Sequence, residues 1–352
     1  MSRVPVRPSV AALPAYQAGA RPSGRLVYKL SSNELPFPPL PGVLAAVEGA
    51  AADANRYPRQ MADELTAAIA LFHGVETGGV AVGAGAIALL GYALAAFVEP
   101  GDQVIYGWRS FEAYPILAGV AGAEAVGVPL TDTGQLDLGS MSAAITPTTR
   151  AILVCSPNNP TGPAVRRDEF DRFMAVVPTD VLVVLDEAYV DFVTDSAAVN
   201  SFEALGRYSN LLTMRTFSKA YGLAGLRVGY AVGRPRLIEA IRAVARPFEV
   251  SAMAELAAIY SLQMQEAMAQ RVRQVVETRT VTFQDLVAQG WRVPEPQGNF
   301  VWLELGADAV PFAGACQRAG LLVRPFPGEG VRVSIGEPVA AERFLEVAAT
   351  WV

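Results

Sequence analysis

Lysine is almost missing from this 352-residue sequence. It occurs as Lys29 and Lys219, whereas arginine fills the other 26 of the 28 positively charged positions. Since arginine has replaced lysine wherever a positive charge alone suffices, a lysine that persists is expected to do what a guanidinium cannot. A lysine amine can lose its proton in a desolvated site and attack a carbonyl carbon. Lys219, which lies among hydroxyl-bearing residues, is therefore a candidate nucleophile.

Histidine and cysteine are also scarce. The single histidine, His73, lies on a helical pattern that ends at Gly74, which favours a structural or surface role over catalysis. Cys155 and Cys316 are too few and too distant for a disulfide framework, so we expect a reducing cytoplasm. One histidine and two scattered cysteines do not favour a zinc site, and we expect no metal.

The charge and the apolar runs exclude further classes of protein. A net charge of −6 and an isoelectric point near 5.1 give no support for nucleic-acid binding. Residues 1–8 are followed by no apolar core of signal-peptide length. Residues 77–98 are uncharged, but glycines interrupt their first half, and residues 86–98 are too short to cross a bilayer. We expect a buried helix there and no membrane span.

The pattern along the chain predicts three regions. Residues 1–45 are rich in proline and glycine, which predicts an arm laid over other structure. Residues 46–245 alternate short apolar strands with helices and are expected to form a large domain. Residues 246–352 begin with a helical stretch and return to strand signals, which predicts a smaller α+β domain that the arm joins.

Three polar residues follow the ends of apolar strands in the large domain. Continuous apolar runs of this kind suit parallel strands that are covered on both faces, so an α/β architecture with a mostly parallel sheet is predicted. Asn159, Asp186 and Lys219 each come shortly after such a run. In parallel sheets, ligands bind beyond the carboxyl ends of the strands. These side chains are therefore expected to meet in one cleft.

The residues around Lys219 suggest which ligand occupies that cleft. Thr216, Ser218 and Arg227 are suited to a phosphate group. An amine nucleophile beside a phosphate site suggests pyridoxal phosphate, an aldehyde that carries a phosphate. Asp186 ends a very apolar strand, where a carboxylate is costly without a cationic partner, and a pyridinium nitrogen is such a partner. A capping or salt-bridged role for Asp186 remains the alternative.

Further contacts to such a cofactor can be suggested. Tyr189 and the side-chain amide of Asn159 could hydrogen-bond its phenolic oxygen. Gly85, which opens a helix, lets backbone N–H groups approach the phosphate, although small residues also serve close packing. Phe111 or Trp108 could stack on the ring, and core packing is an equally open role for either.

Three motifs carry a resemblance to a known family. The sequence contains, in this order, S-P-N-N-P-T-G from 156, D-E-A-Y from 186 and T-F-S-K-A-Y-G-L-A-G-L-R-V-G from 216. It resembles the fold type I pyridoxal-phosphate-dependent aminotransferases, and it is most similar to the branch of histidinol-phosphate and aromatic-amino-acid aminotransferases. The similarity covers nearly the whole chain. It implies the aspartate-aminotransferase-like fold and a homodimer with a shared active site.

The resemblance also implies roles for individual residues. Lys219 would bind the cofactor covalently and shuttle the substrate Cα proton, with Asp186 and Tyr189 as the other catalytic residues. The cofactor would also contact Asn159, Phe111, Gly85, Ala86, Thr216, Ser218, Arg227 and, from the neighbouring subunit, Tyr57. The substrate would be held by Arg332, Arg324, Tyr16, Asn33 and Asn159. Where many histidinol-phosphate enzymes have acidic residues, this sequence has Gly85 and Ala86, so backbone donors are expected there.

The substrate is less clearly indicated than the chemistry. The segment G-W-R-S-F-E from 107 is more similar to the aromatic aminotransferases, and Tyr16, Trp108 and Phe111 offer apolar surface for a planar ring. We therefore favour aromatic amino acids (phenylalanine, tyrosine and tryptophan) with 2-oxoglutarate as acceptor. Histidinol phosphate is the alternative, because two arginines that bind a carboxylate can also bind a phosphate. A threonine-phosphate decarboxylase and a non-catalytic regulator are weaker alternatives.

Overall fold

The computed structural model describes residues 4–13 and 28–352. Within this part of the chain the strands are β1 Tyr28–Lys29, β2 Val80–Gly83, β3 Gln103–Trp108, β4 Glu124–Pro129, β5 Thr149–Cys155, β6 Leu182–Asp186, β7 Leu211–Thr216, β8 Gly229–Gly233, β9 Phe300–Glu304, β10 Leu321–Leu322, β11 Arg324–Phe326 and β12 Gly330–Ser334. The helices are α1 Pro8–Ala11, α2 Val43–Ala51, α3 Asp63–His73, α4 Ala86–Phe97, α5 Ala113–Ala121, α6 Leu138–Ala143, α7 Arg167–Met174, α8 Ser201–Arg207, α9 Pro235–Val244, α10 Ala252–Gln263, α11 Gln265–Ala288, α12 Ala309–Arg318 and α13 Pro338–Ala349.

Seven of the described strands form the main sheet, in the order β2-β8-β7-β6-β5-β3-β4. The pairings among β7, β6, β5, β3 and β4 are parallel, and β8 runs antiparallel to both of its neighbours. Strands β5, β6 and β7 are almost entirely buried, because helices cover both faces of the sheet. The predicted α/β architecture with a mostly parallel sheet is confirmed, although the sequence pattern did not reveal β4 or β8.

The main sheet brings the carboxyl ends of three adjacent strands together. Cys155 at the end of β5 pairs with Asp186 at the end of β6, and Asp186 pairs in turn with Met214 in β7. Asn159 and Lys219 follow β5 and β7 within a few residues. The polar groups predicted to share one cleft therefore start from one edge of the sheet.

The C-terminal region builds a second, smaller sheet against this edge. Strands β11, β12 and β9 are antiparallel, and Arg324 in β11 lies directly opposite Arg332 in β12. Two short strands follow each other here: β10 pairs with β1 from the N-terminal segment, and the chain then turns into β11. The pairing of β1 with β10 joins residues 28–29 to the C-terminal region.

His73 packs at the end of α3 as a structural residue. Its ring stacks on Phe202 with 4.1 Å between ring centroids, and its Nε2 atom is 2.9 Å from the hydroxyl of Tyr230. Burial, followed by the charge of Arg215, lowers the pKa of His73 to about 4. The imidazole is therefore neutral near pH 7.

Candidate active site

A cavity of about 380 Å³ lies between the carboxyl edge of the main sheet and the small sheet. Residues predicted from the sequence to form the site line it: Phe111, Ala86, Asn159, Asp186, Tyr189, Thr216, Ser218, Lys219, Arg227, Arg324 and Arg332. Gly85 and Asn33 touch residues of this wall, as described below. The cavity therefore collects groups that are separated by more than 240 positions of sequence, from Ala86 to Arg332.

Lys219 lies in the wall of this cavity with its amine held by the backbone of the N-terminal segment. Its Nζ atom donates a hydrogen bond to the carbonyl oxygen of Ser32 at 3.0 Å. Burial lowers the pKa of Lys219 to about 7, and the nearby guanidinium groups of Arg332 and Arg227 act in the same direction. The amine can therefore lose its proton near neutral pH, which is the property that the scarcity of lysine predicted.

The lowered pKa of Lys219 leads to a labelling prediction. In the cofactor-free protein, the rate at which a small acylating reagent labels Lys219 is expected to rise with pH and to reach half its maximum near pH 7, because the neutral amine is the reactive form. Mass spectrometry can follow the two lysines separately, and Lys29, which forms an ion pair with Glu34 at 2.6 Å, is the internal reference. A Lys219 profile that is half-maximal near pH 10 would contradict the prediction.

Asp186 is a buried carboxylate that faces the cavity. Its side chain accepts hydrogen bonds from the hydroxyl of Tyr114 at 2.8 Å and from the backbone N–H of Ala188 at 3.1 Å. Burial raises the pKa of Asp186, and the hydrogen bond from Tyr114 opposes this rise. Both donors are uncharged, so these contacts orient the carboxylate without supplying a positive charge. A cationic group in the cavity would supply one.

Tyr114 is a functional residue that the sequence analysis missed. It lies in α5, is fully buried, and contacts both Asp186 and the ring of Phe111, with 5.6 Å between the ring centroids. Its distance of 72 residues from Asp186 leaves no local signal. Phe111 lines the cavity, whereas Trp108 lies beneath the guanidinium of Arg109 at 4.1 Å. Of the two aromatic residues left open by the sequence, Phe111 is therefore the one in the site.

The opposite end of the cavity is suited to an anion. Arg227 Nη1 donates to Ser218 Oγ at 3.3 Å, and the backbone N–H of Ser218 donates to Thr216 Oγ1 at 3.1 Å. Gly85 has a φ of 84°, and a Cβ atom built there would lie 2.6 Å from Arg227 Nη2. The glycine therefore lets the guanidinium approach the start of α4, where the first N–H groups of the helix have no acceptor within the helix.

Tyr189, Asn33 and Asn159 form the polar middle of the site. Asn33 Nδ2 donates to the hydroxyl of Tyr189 at 2.9 Å, and Arg332 Nη1 donates to Asn159 Oδ1 at 2.6 Å. Burial raises the pKa of Tyr189 above its ordinary value, which keeps its hydroxyl protonated and able to donate. Asn33 has a φ of 53°, so a left-handed backbone turn directs its side chain to this position.

Two arginines enter the cavity from the small sheet. Arg332 Nη2 donates to the carbonyl oxygen of Ser31 at 2.7 Å, and Arg324 Nη2 donates to a carboxylate oxygen of Glu112 at 2.9 Å. Both side chains are largely buried, and they lie opposite each other on antiparallel strands. Glu112 is a second residue that the sequence analysis missed, because its partner is 212 positions away.

Tyr57, another predicted residue, is not among the residues that line the cavity. Tyr57 is 84% exposed and its ring packs against Phe248, with 5.0 Å between the ring centroids. This position is compatible with the expectation that Tyr57 serves a neighbouring subunit. Tyr16 lies outside the described residues.

Within residues 4–13 and 28–352 there is no cluster of histidine, cysteine, aspartate and glutamate that could hold a metal ion. In the same part of the chain, no helix is both long and apolar enough to cross a membrane.

Comparisons with known proteins agree with one another. The family model "Aminotransferase class I and II" matches residues 26–347. A Thermobifida fusca protein named aromatic amino acid aminotransferase is 49% identical over 349 residues, which cover 98% of this chain and 97% of the relative. A Streptomyces coelicolor protein of the same name is 49% identical over 345 residues, or 97% of this chain and 96% of the relative.

A solved structure shows the same fold. The histidinol-phosphate aminotransferase from Sinorhizobium meliloti, in complex with pyridoxal-5'-phosphate, superposes with a TM-score of 0.88 at 26% sequence identity. The match covers 100% of this chain and 99% of that chain.

Proposed function

Since this chain belongs to the class I and II aminotransferases, we propose that it uses pyridoxal phosphate to transfer amino groups from aromatic amino acids to 2-oxoglutarate. The observation that carries the proposal is one cavity that holds the amine of Lys219, the buried carboxylate of Asp186 and the guanidinium of Arg227. An aldehyde, a ring nitrogen and a phosphate are the complementary groups. Pyridoxal phosphate contains all three.

The residues at the two ends of the cavity fit this cofactor. Arg227, Ser218, Thr216 and the N-terminal backbone of α4 at Gly85 and Ala86 would hold the phosphate. Asp186 would face the ring nitrogen, because its carboxylate is buried and accepts from uncharged donors in the two contacts described above. Phe111 would pack on the face of the ring. Gly85 supports this arrangement, since any side chain there would collide with Arg227.

The middle of the cavity would orient the cofactor and move the proton. The hydroxyl of Tyr189 and the amide N–H groups of Asn159 would donate to the phenolic oxygen, and Asn33 fixes the Tyr189 hydroxyl. When bound, pyridoxal phosphate supplies an aldehyde that carries the amino group and a ring that takes up the electron pair left at the substrate Cα. Lys219, whose pKa is lowered to about 7, would accept the Cα proton and return it, because both of its protonation states are populated near neutral pH.

The substrate carboxylate would bind Arg332. Its guanidinium donates to Asn159 and to the carbonyl oxygen of Ser31, and these contacts help to hold it in position. A guanidinium held in this way can bind a carboxylate through two parallel hydrogen bonds. The rings of Phe111 and Tyr189 leave a partly apolar wall for a planar side chain, and the names of the two relatives support an aromatic donor.

We further propose a homodimer in the cytoplasm. The exposed Tyr57, seated on Phe248, would contact the cofactor phosphate of the partner subunit and complete that site. The two cysteines are buried and free among the described residues, which supports a reducing compartment. We retain the proposed division into an arm at residues 1–45, a cofactor-binding domain at 46–245 and a small domain at 246–352.

A panel of amino donors tests the proposed function. With 2-oxoglutarate as acceptor, we expect phenylalanine, tyrosine and tryptophan to give a higher kcat/KM than histidinol phosphate. Initial rates at several acceptor concentrations should give parallel double-reciprocal lines, because two half-reactions share one site. A preference of about 10²-fold or more for histidinol phosphate would instead assign the enzyme to that substrate, since this difference equals about 2.7 kcal/mol of binding to the transition state. Release of carbon dioxide from threonine phosphate would indicate a decarboxylase.

A further inference from the structure

Glu112 and Arg324 form an ion pair at the edge of the candidate active site. Glu112 is the residue before α5, and Arg324 is the first residue of β11. Their charged atoms are 2.9 Å apart, and the side chains are 28% and 11% exposed, respectively. Both residues line the same cavity as Lys219 and Asp186. The pair is therefore part of the surface that a substrate side chain meets.

The two arginines of the cavity differ in what holds them. Arg332 and Arg324 face each other across β12 and β11, an arrangement in which like charges repel. Arg332 donates to the side-chain oxygen of Asn159 and to the carbonyl oxygen of Ser31. Arg324 instead donates to both carboxylate oxygens of Glu112, at 2.9 and 3.3 Å. The charge of Arg324 is thus balanced by the protein itself.

We infer that Glu112 is a specificity-determining residue, which occupies Arg324 so that the cavity favours donors with a single negative charge and an uncharged side chain over donors that carry a second negative charge. This inference rests on the proposed function. Arg332 would bind the α-carboxylate of an amino acid, and Arg324 is the group that a second negative charge would need, whether on a distal carboxylate or on the phosphate that replaces the carboxylate in histidinol phosphate. An incoming anion has to displace the Glu112 carboxylate from Arg324, whereas an aromatic ring does not.

The same contact affects the acceptor. A dicarboxylic 2-oxo acid carries a distal carboxylate, which must compete with Glu112 for Arg324. The pair therefore weakens the binding of any dianion, whether it is a phosphorylated donor or a dicarboxylic acceptor. A carboxylate that acts only as a structural tie between α5 and β11 would not distinguish monoanions from dianions.

The Glu112→Gln variant tests this inference by calorimetric binding to the cofactor-loaded protein. The probes are glutarate, a dianion, and 3-phenylpropionate, a monoanion with an aromatic ring. We expect the Kd of glutarate to fall about tenfold, because Glu112 no longer competes with glutarate for Arg324 and couplings between binding events are typically of this size. The Kd of 3-phenylpropionate should stay unchanged. In steady-state assays, the KM for 2-oxoglutarate and the preference for phenylalanine over histidinol phosphate should both fall.

Two further variants serve as controls. Glu329→Gln is the matched control, because Glu329 also forms an ion pair with an arginine, Arg109. Unlike Glu112, Glu329 does not line the cavity. We expect this variant to leave the ratio of the two Kd values unchanged. In Glu112→Gln/Arg324→Gln, the gain in glutarate affinity should disappear, because the released guanidinium is gone. Glu112→Ala provides the same test if the glutamine variant is unstable.

The outcomes separate this inference from the proposed function. Equal changes for both probes, or no change for glutarate, would overturn the role of Glu112. Failure of the wild-type enzyme to transaminate phenylalanine would overturn the proposed donor, while the glutarate measurement would still decide whether Glu112 controls Arg324.

Discussion

Replacing Lys219 with alanine is expected to give a folded protein that lacks both the absorbance band of covalently bound cofactor and measurable turnover. The substitution removes one hydrogen bond to Ser32, which contributes about 1 kcal/mol to stability. It also removes the amine that would bind the cofactor and move the Cα proton. We expect kcat to fall by about 10⁴-fold or more, at or beyond the upper range for loss of a general base. Absorbance spectra report the bound cofactor, circular dichroism reports the fold, and steady-state assays report turnover.

Two arginine variants make this test specific for deprotonation. Lys219→Arg keeps a positive charge but cannot lose its proton near neutral pH, so it should be as inactive as the alanine variant. Lys29→Arg keeps the charge that pairs with Glu34 and should retain activity. If Lys219→Ala or Lys219→Arg turns over at the wild-type rate, Lys219 is not the reactive amine.

Replacing Asp186 with asparagine is expected to preserve the fold and to remove most of the activity. Burial raises the pKa of Asp186 in the folded state above its unfolded value, so the charged form costs folding free energy at pH values above the unfolded pKa. An asparagine removes that cost, and the cofactor-free variant should be at least as stable as the wild type near pH 7. The carboxylate that would balance the cofactor ring is lost, and kcat should fall by about 10²–10³-fold, as for other preorganised electrostatic groups.

Glu187 provides a matched control for Asp186. It is the next residue and is also a buried carboxylate, but it accepts from Arg215 Nε at 2.8 Å and from Ser201 Oγ at 2.7 Å. Glu187→Gln breaks a buried ion pair and should lower the free energy of unfolding by about 3–5 kcal/mol. Turnover per folded molecule should change little. Urea unfolding measures the loss of stability expected for Glu187→Gln. Single-turnover kinetics with α-deuterated phenylalanine measure the slower removal of the Cα proton expected for Asp186→Asn. Full activity of Asp186→Asn would refute its proposed role.

Much of the site could be predicted from the sequence because the relevant signals are local. Asn159, Asp186 and Lys219 follow apolar strands, and parallel strands present such residues at one edge. The scarcity of lysine identified Lys219 without any structural information. The ordered motifs indicated the aminotransferase family, and the family match over residues 26–347 confirms it.

Other features depended on contacts that no local pattern records. The strand β8 was not predicted, and its antiparallel course between β2 and β7 is a property of the assembled sheet. The hydrogen bond from Tyr114 to Asp186 joins residues 72 positions apart. The ion pair of Glu112 with Arg324 joins residues 212 positions apart. The sequence therefore suggested that Arg324 could bind a substrate carboxylate or phosphate, whereas in the structure its guanidinium is paired with Glu112.

The sequence by itself determined the chemistry of this protein, because strand ends, a rare lysine and short motifs specify which groups are present and roughly where they start. Tertiary structure decided how those groups are tuned. Burial lowers the pKa of Lys219 and raises that of Asp186, and in a cross-strand pair of arginines Arg324 contacts Glu112 while Arg332 contacts Asn159. Desolvation and charge pairing depend on neighbours brought together by folding, and these neighbours are distant in the sequence.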